Sequence, residues 1–154
     1  MITSVMGKGW FSWILALALL ASATGCSKAA RQKRHLEKAE QYFQAQDWEA
    51  ARIEYLNVLR LGSLHPTAVQ RIATILYDQG KLREAAPYLV KGAEMNPDNL
   101  ELRCKLAQLY LTAGQITNAR TEALAVIEKK PELEDAILVY ASTPTNASQI
   151  TETQ

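Results

Sequence analysis

The feature that most constrains this chain is a beat of small residues that returns every 34 positions. Ala39, Ala73 and Ala107 are each separated by 34, and so are Ala51, Ala85 and Ala119. Larger residues keep step around them: Tyr42, Leu76 and Tyr110 in one row, and Trp48, Leu82 and Ile116 in another. Self-similarity at this period is the signature of stacked helix–turn–helix units. Small residues let two helices approach closely, and bulky ones a turn away fill the gaps between them. A stack of this kind is expected to hold something rather than to do chemistry.

Read one by one, the repeats span 33–65, 66–99 and 100–131. In repeat 1, Leu36, Ala39, Tyr42 and Phe43 form a helical stripe to about Gln46. The Gln46-Asp47 turn leads into a second helix, Trp48 to Leu61, with Ala51, Tyr55, Val58 and Leu59 inward and Gly62 as its cap. Repeat 2 opens on Pro66, a good first helical residue. Val69, Ile72, Ala73 and Leu76 line its first helix, Gly80 marks the turn, and Leu82, Ala85, Leu89 and Ala93 line its second. Repeat 3 carries Leu102, Leu106, Ala107 and Tyr110, a turn at Gly114, then Ile116, Ala119, Ala123, Val126 and Ile127. Pro131 closes it, 34 residues after Pro97. Gly92 permits close helix packing at a cost of about 1 kcal/mol in propensity relative to Ala. Pro87 falls inside a predicted helix, near enough to its start to be tolerated.

These residues resemble the tetratricopeptide repeat. Its pattern is a small residue early in the first helix, an aromatic three later and a glycine at the turn. An alanine follows in the second helix, and a proline closes the unit. Ala107, Tyr110, Gly114, Ala119, Val126 and Pro131 match it, as do Ala73, Gly80, Ala85, Leu89 and Pro97. Repeat 1 matches through Ala39, Tyr42, Ala51 and Tyr55, but has Gln46 for the glycine and Ser63 for the proline. The resemblance implies an all-α solenoid of antiparallel helix pairs, three repeats long, with residues 132–154 supplying the first helix of a fourth and a polar tail.

It also implies a concave face built from the first helix of each repeat. The positions that face it are Lys33, Leu36, Glu40 and Phe43, then Thr67, Gln70, Thr74 and Tyr77, then Glu101, Cys104, Gln108 and Leu111. Such a mixture suits an extended or helical protein segment. The same side chains could equally serve ordinary inter-repeat packing. Some members of the family clamp acidic peptide termini with lysine and asparagine. Leu36, Glu40, Gln70 and Thr74 occupy the matching positions, so a clamp of that type is not expected.

Residues 1–25 read as an export signal. Lys8 precedes an apolar run, Trp10–Ala21, broken by Ser12 alone, which gives way to Ala21-Ser22-Ala23-Thr24-Gly25 and then Cys26. The run has the length of a signal h-region and is short of the roughly 20 residues a spanning helix needs. Small residues before a cysteine resemble a bacterial lipoprotein signal, which implies cleavage after Gly25 and diacylglycerol on the Cys26 sulfur, with a palmitate-type acyl chain on the new amine. Ala23 stands where that pattern usually has Leu, which leaves open an ordinary signal peptide or an uncleaved amino-terminal anchor. Ser27 is not the aspartate associated with inner-membrane retention, so the resemblance favours the outer membrane, facing the periplasm. Residues 26–32 form a lipidated cysteine and tether, and the basic residues Lys28, Arg31, Lys33 and Arg34 make either a collar on anionic headgroups or a solvated start to the first helix. Eight residues reach at most about 28 Å, so the repeats would lie close to the membrane.

Charge points away from nucleic acid: 17 Lys and Arg stand against 16 Asp and Glu, and with Lys8 in the leader the remainder carries 16 of each. Two cysteines make no disulfide framework and no zinc site. His35 and His65 lack ligand partners at helical spacing and read as solvated surface residues. Cys104, among Leu102, Lys105 and Leu106, reads as a structural thiol. No phosphate loop or H-E-x-x-H occurs. An enzyme, a cofactor and a metal are therefore not expected. Beyond Pro131, Leu133, Ile137, Leu138 and Tyr140 form one more apolar helix, with Ala141 34 residues after Ala107. Asn146–Gln154 offers almost only polar residues to cover it, so the chain is expected to stop inside a longer array. The expected function is a membrane-anchored scaffold for protein–protein interactions in a bacterial envelope assembly, export or sorting system. The alternatives are a pilotin-like chaperone and a structural spacer.

Overall fold

The computed structural model describes residues 28–62 and 64–143. The leader, Cys26 and the polar tail after Thr143 lie outside them. Seven helices are present among the described residues: α1 (28–44), α2 (Trp48–Leu61), α3 (Pro66–Asp78), α4 (Leu82–Met95), α5 (Leu100–Thr112), α6 (Ile116–Ile127) and α7 (Glu134–Ser142). The chain divides into two compact units, Met1–His65 and Pro66–Gln154.

In the amino-terminal unit, α1 is already helical at residue 28, so the basic residues from Lys28 to Arg34 are helical and not an extended tether. A helix rises 1.5 Å per residue where an extended chain rises more than 3 Å, which shortens that segment's reach. Ala39, Ala51, Tyr55 and Val58 are buried, whereas Leu36, Phe43 and Leu59 of the expected stripes are half-buried and Tyr42 is exposed. Gln32 Nε2 donates to the Val58 carbonyl at 3.3 Å, and Tyr55 Oη donates to Glu40 Oε1 at 2.7 Å. Gly62 follows α2 in extended backbone (φ −155°), so it is not the left-handed cap its position suggests. What it supplies is space: a Cβ there would stand 2.6 Å from Gln32 Nε2.

In the carboxy-terminal unit, α3 packs on α4, α5 on α6, and α7 on α6, while α4 meets α5 across the repeat boundary. Most of the stripes expected to face inward are buried: Val69, Ile72, Ala73 and Leu76 of α3, Ala85, Leu89 and Ala93 of α4, Leu102, Leu106 and Ala107 of α5, and Ala119, Ala123 and Val126 of α6, whereas Leu82, Tyr110, Ile116 and Ile127 are half-buried. Gly92 meets the α5 side chain Leu102 so closely that a Cβ would overlap Leu102 Cδ2. This contact is what the glycine makes room for. Pro87 lies on the exposed side of α4, where water can reach the carbonyl that its ring leaves without a donor. Ala136 and Val139 seat α7 against α5 and α6, whereas Ile137 (42% exposed) and Leu138 (64% exposed) face out.

The period of 34 is clearest in the turns. After each first helix a backbone N–H reaches five residues back: Asp47 to Tyr42 (2.9 Å), Lys81 to Leu76 (2.9 Å) and Gln115 to Tyr110 (2.8 Å). Each closure needs one left-handed residue before it, which is Gln46 (φ 61°), Gly80 (φ 72°) and Gly114 (φ 72°) in turn. Asp47 also caps α2, accepting from the Ala50 N–H at 3.2 Å, and Asn99 caps α5 through the Leu102 N–H at 3.0 Å.

Candidate binding groove

The first helices of the carboxy-terminal unit, α3, α5 and α7, lie side by side: α5 contacts both of the others. Two residues expected on the concave face meet there, as Tyr77 Oη donates to Gln108 Oε1 at 2.6 Å. Beside them Lys105 Nζ sits 5.0 Å from the centre of the Tyr77 ring and 2.7 Å from Asp78 Oδ1, with Glu101 Oε1 at 3.9 Å. A cation over an aromatic face and between two carboxylates is largely neutralised, so Lys105 braces α5 against α3 rather than offering a free charge.

Between α5 and α7 opens a depression of about 330 Å³. Its apolar lining is Leu100, Cys104 and Leu133, and Glu101, Lys105, Gln108, Lys130 and Asp135 complete it. The Cys104 side chain packs with Val126 and Ala136, and the residue is 5% exposed. Burial, and secondarily the Asp135 carboxylate, push its thiol up to about 11, against a smaller opposing pull from Lys105. At neutral pH Cys104 is a neutral, poorly nucleophilic surface for contact. The Tyr77 phenol is raised in the same sense, first by burial and then by Cys104, Asp78 and Asp135.

The expected groove residues divide. Cys104 and Gln108 line the depression, and Tyr77 is bonded to its edge. Thr74 is half-buried on α3. Gln70 is half-buried too, its Cγ 3.8 Å from where a Cβ on Gly92 would lie. Leu111 packs against the cluster of Ala107, Ala119, Ala123 and Val139, so it contributes to helix packing. In the amino-terminal unit Leu36 is half-buried. There Glu40 is held by Tyr55, and Phe43 stands edge-on to Trp48 (5.1 Å) and Tyr55 (6.4 Å).

The histidines are less exposed than expected. His35 is half-buried and bonded to Glu54 at 2.5 Å, and His65 has a buried Nδ1 without a hydrogen-bond partner among the described residues. No group of three or more His, Cys, Asp or Glu poised for a metal occurs among the described residues, and no described helix is long and apolar enough to cross a membrane. Reading by register missed Lys105, Leu100, Lys130, Leu133 and Asp135. The i,i+4 spacing of Glu101 and Lys105 was the one available signal for the first. The others enter the groove through the α5–α7 contact, which no local pattern encodes.

Comparison with known proteins agrees with this geometry. Residues 76–141 match the tetratricopeptide repeat model. Cellulose synthase operon protein C of Pseudomonas fluorescens (strain SBW25) is 30% identical over 94 residues, which are 61% of this chain and 7% of that protein. The chain thus spans a small fraction of that relative. Among solved structures, YrrB, a tetratricopeptide-repeat protein with an unusual peptide-binding site, superposes with a TM-score of 0.67 at 22% identity, covering 76% of this chain and 59% of its own. The first repeat domain of Spaghetti (RPAP3), bound to the HSP90 peptide SRMEEVD, superposes with a TM-score of 0.61 at 15% identity, covering 79% and 93%. Residues 76–141 are thus similar to tetratricopeptide repeats, and the described helices have the tetratricopeptide-repeat fold.

Proposed function

We propose that this protein is a non-catalytic scaffold lipoprotein of the bacterial cell envelope that holds a segment of a partner protein against α5 and α7. The observation that carries the reading is the depression between those helices, with its apolar lining of Leu100, Cys104 and Leu133 and its charged residues. Apolar contact gives affinity, and a few polar groups fix orientation. Asp135 and Lys130 have no ion-pair partner among the described residues, while Lys105 is engaged by Asp78 and Glu101. A partner segment that lays an apolar side chain over Leu133 and Cys104 and a cationic one beside Asp135 fits this arrangement. The likeness to a cellulose synthase operon protein favours an exopolysaccharide-export setting over other envelope systems.

Photo-crosslinking in intact envelopes tests the groove. A photoreactive side chain at Glu101 should capture one discrete protein, and the same group at the exposed Gln79 should not. Capture at neither Glu101 nor Asp135 favours a structural spacer. The anchor is tested separately: palmitate label should enter the parent chain and be lost in Cys26→Ser. Label that persists would mean that Cys26 is not the acylated residue.

A further inference from the structure

The basic residues of α1 fall on one face. At 100° per residue, Lys28, Arg31, Arg34, His35 and Lys38 lie within an arc of about 120°, and Tyr42 continues the same line. Lys28, Arg31, Arg34 and Lys38 are all exposed. Arg31, Arg34, His35 and Lys38 line a shallow depression of about 200 Å³ that includes no carboxylate. The nearby acids are engaged elsewhere: Glu54 by His35 (2.5 Å), Glu37 by Lys33 (3.9 Å) and Glu40 by Tyr55 (2.7 Å). Arg31, Arg34 and Lys38 have no such partner among the described residues. In a chain whose positive and negative residues nearly balance, these exposed cations, flanking the His35–Glu54 pair, are a local concentration of positive charge.

We propose that this face of α1 lies on a membrane and binds anionic lipid headgroups. Guanidinium groups one turn apart match phosphates at a bilayer surface, and each basic residue held there adds to the attraction. Tyr42, 39% exposed at the end of the line, has the amphipathic ring suited to the boundary between headgroups and acyl chains. Cys26 precedes Lys28, the first helical residue, by two residues, at most about 7 Å of chain, so a lipid on that cysteine would bring the face to the bilayer. The inference rests on the envelope reading above but adds a second, electrostatic contact that needs no acyl chain. It orients the amino-terminal unit, with α1 against the surface, where an acyl anchor by itself would leave it free to swivel.

The test uses the full chain carrying Cys26→Ser, so that no lipid is attached. Its sedimentation with vesicles of phosphatidylcholine is compared with vesicles containing about 30 mol % phosphatidylglycerol. The apolar run of the leader contributes alike to both, and Lys8 is present in every variant, so differences between variants in the ratio of the two affinities isolate the charge of α1. That ratio should be roughly tenfold or more, and should fall towards one in high salt. It should also fall towards one in the variant Arg31→Gln/Arg34→Gln/Lys38→Gln. A charge-matched control, Lys33→Gln/Lys81→Gln/Arg83→Gln, should keep it. A ratio near one in the starting chain, retention in the first variant, or equal loss in the control would each overturn the proposal. Palmitate labelling and groove crosslinking are separate readouts, so failure of the anchor or of the groove leaves this result interpretable.

Discussion

One register position is closed off within the amino-terminal hairpin and borders an open depression in the carboxy-terminal array. Glu40 and Phe43 of α1 correspond, at intervals of 34, to Gln108 and Leu111 of α5. In the hairpin both are occupied, Glu40 by the Tyr55 hydroxyl and Phe43 by the rings of Trp48 and Tyr55. In the array Leu111 is packed against α6 and α7, and Gln108 accepts from Tyr77 of the preceding repeat yet still lines an open depression. The difference traces to the second helix. Tyr55 has Leu89 and Ala123 as its counterparts. Only the tyrosine is long enough, and has a hydroxyl, to cross its own hairpin and satisfy the first helix. Register therefore fixes which face a residue occupies. The size of its neighbour on the second helix decides whether that face is available to a ligand.

The strongest way to break this contrast is Tyr55→Ala. Tyr55 is fully buried, and removing a buried aromatic costs about 3–5 kcal/mol. Hydrogen exchange should show α1 and α2 losing protection while α5 and α6 keep theirs. Equal loss in both units would mean that the hairpin is not closed on itself. Next comes Gly92→Ala, which drives a Cβ into the buried Leu102 side chain. Overpacking of about 1–3 kcal/mol outweighs a helix-propensity gain of about 1 kcal/mol, so urea unfolding should show a net loss. A net gain would show the α4–α5 contact to be loose.

A smaller effect sharpens the comparison at the turns. Gln46 carries a left-handed backbone that glycine carries at Gly80 and Gly114. Gln46→Gly should stabilise the chain by about 1 kcal/mol, and Gly114→Gln should destabilise it by a similar amount. Equal and opposite shifts in the unfolding midpoint are the expected reading. The smallest effect, absent at neutral pH, concerns Cys104. Its thiol is raised in the folded chain, so the stability it confers is intact below its ordinary value near 9 and is lost as pH climbs to about 11. In the Cys26→Ser chain, Cys104 should react with a disulfide reagent at pH 8 far more slowly than the same thiol in the unfolded chain. Comparable rates would place the side chain in solvent.

Most of the helical architecture was legible because it depends on spacing within one chain segment. Trp48 and Leu61 bound α2 as read, and Pro66 opens α3. The unusual Gln46 in place of glycine pointed to a turn whose geometry the structure shows to be retained. Gly62 misled, because a glycine after a helix suggests a left-handed cap, whereas here it clears room for Gln32 from another helix. The groove was half legible for a related reason. Cys104 and Gln108, named from register, line the depression, but register could not show that Leu111 would be drawn under α7, or that Leu133 and Asp135 would form the opposite wall. Those facts depend on how neighbouring repeats meet, and such contacts leave no local period.

One side chain holds that opposite wall in place. Arg120 of α6 stacks 4.1 Å from the Tyr140 ring centre, donates to the Tyr140 hydroxyl at 2.6 Å, and reaches both the carbonyl and the hydroxyl of Thr143 at 3.3 Å. A nine-residue helix such as α7 would fray in isolation. Clasped at its carboxy-terminal end by a guanidinium rooted in the preceding repeat, it stands ready before any partner arrives. On the proposed reading, a partner segment would meet a finished lock and not a surface moulded on contact, and little ordering entropy would be lost.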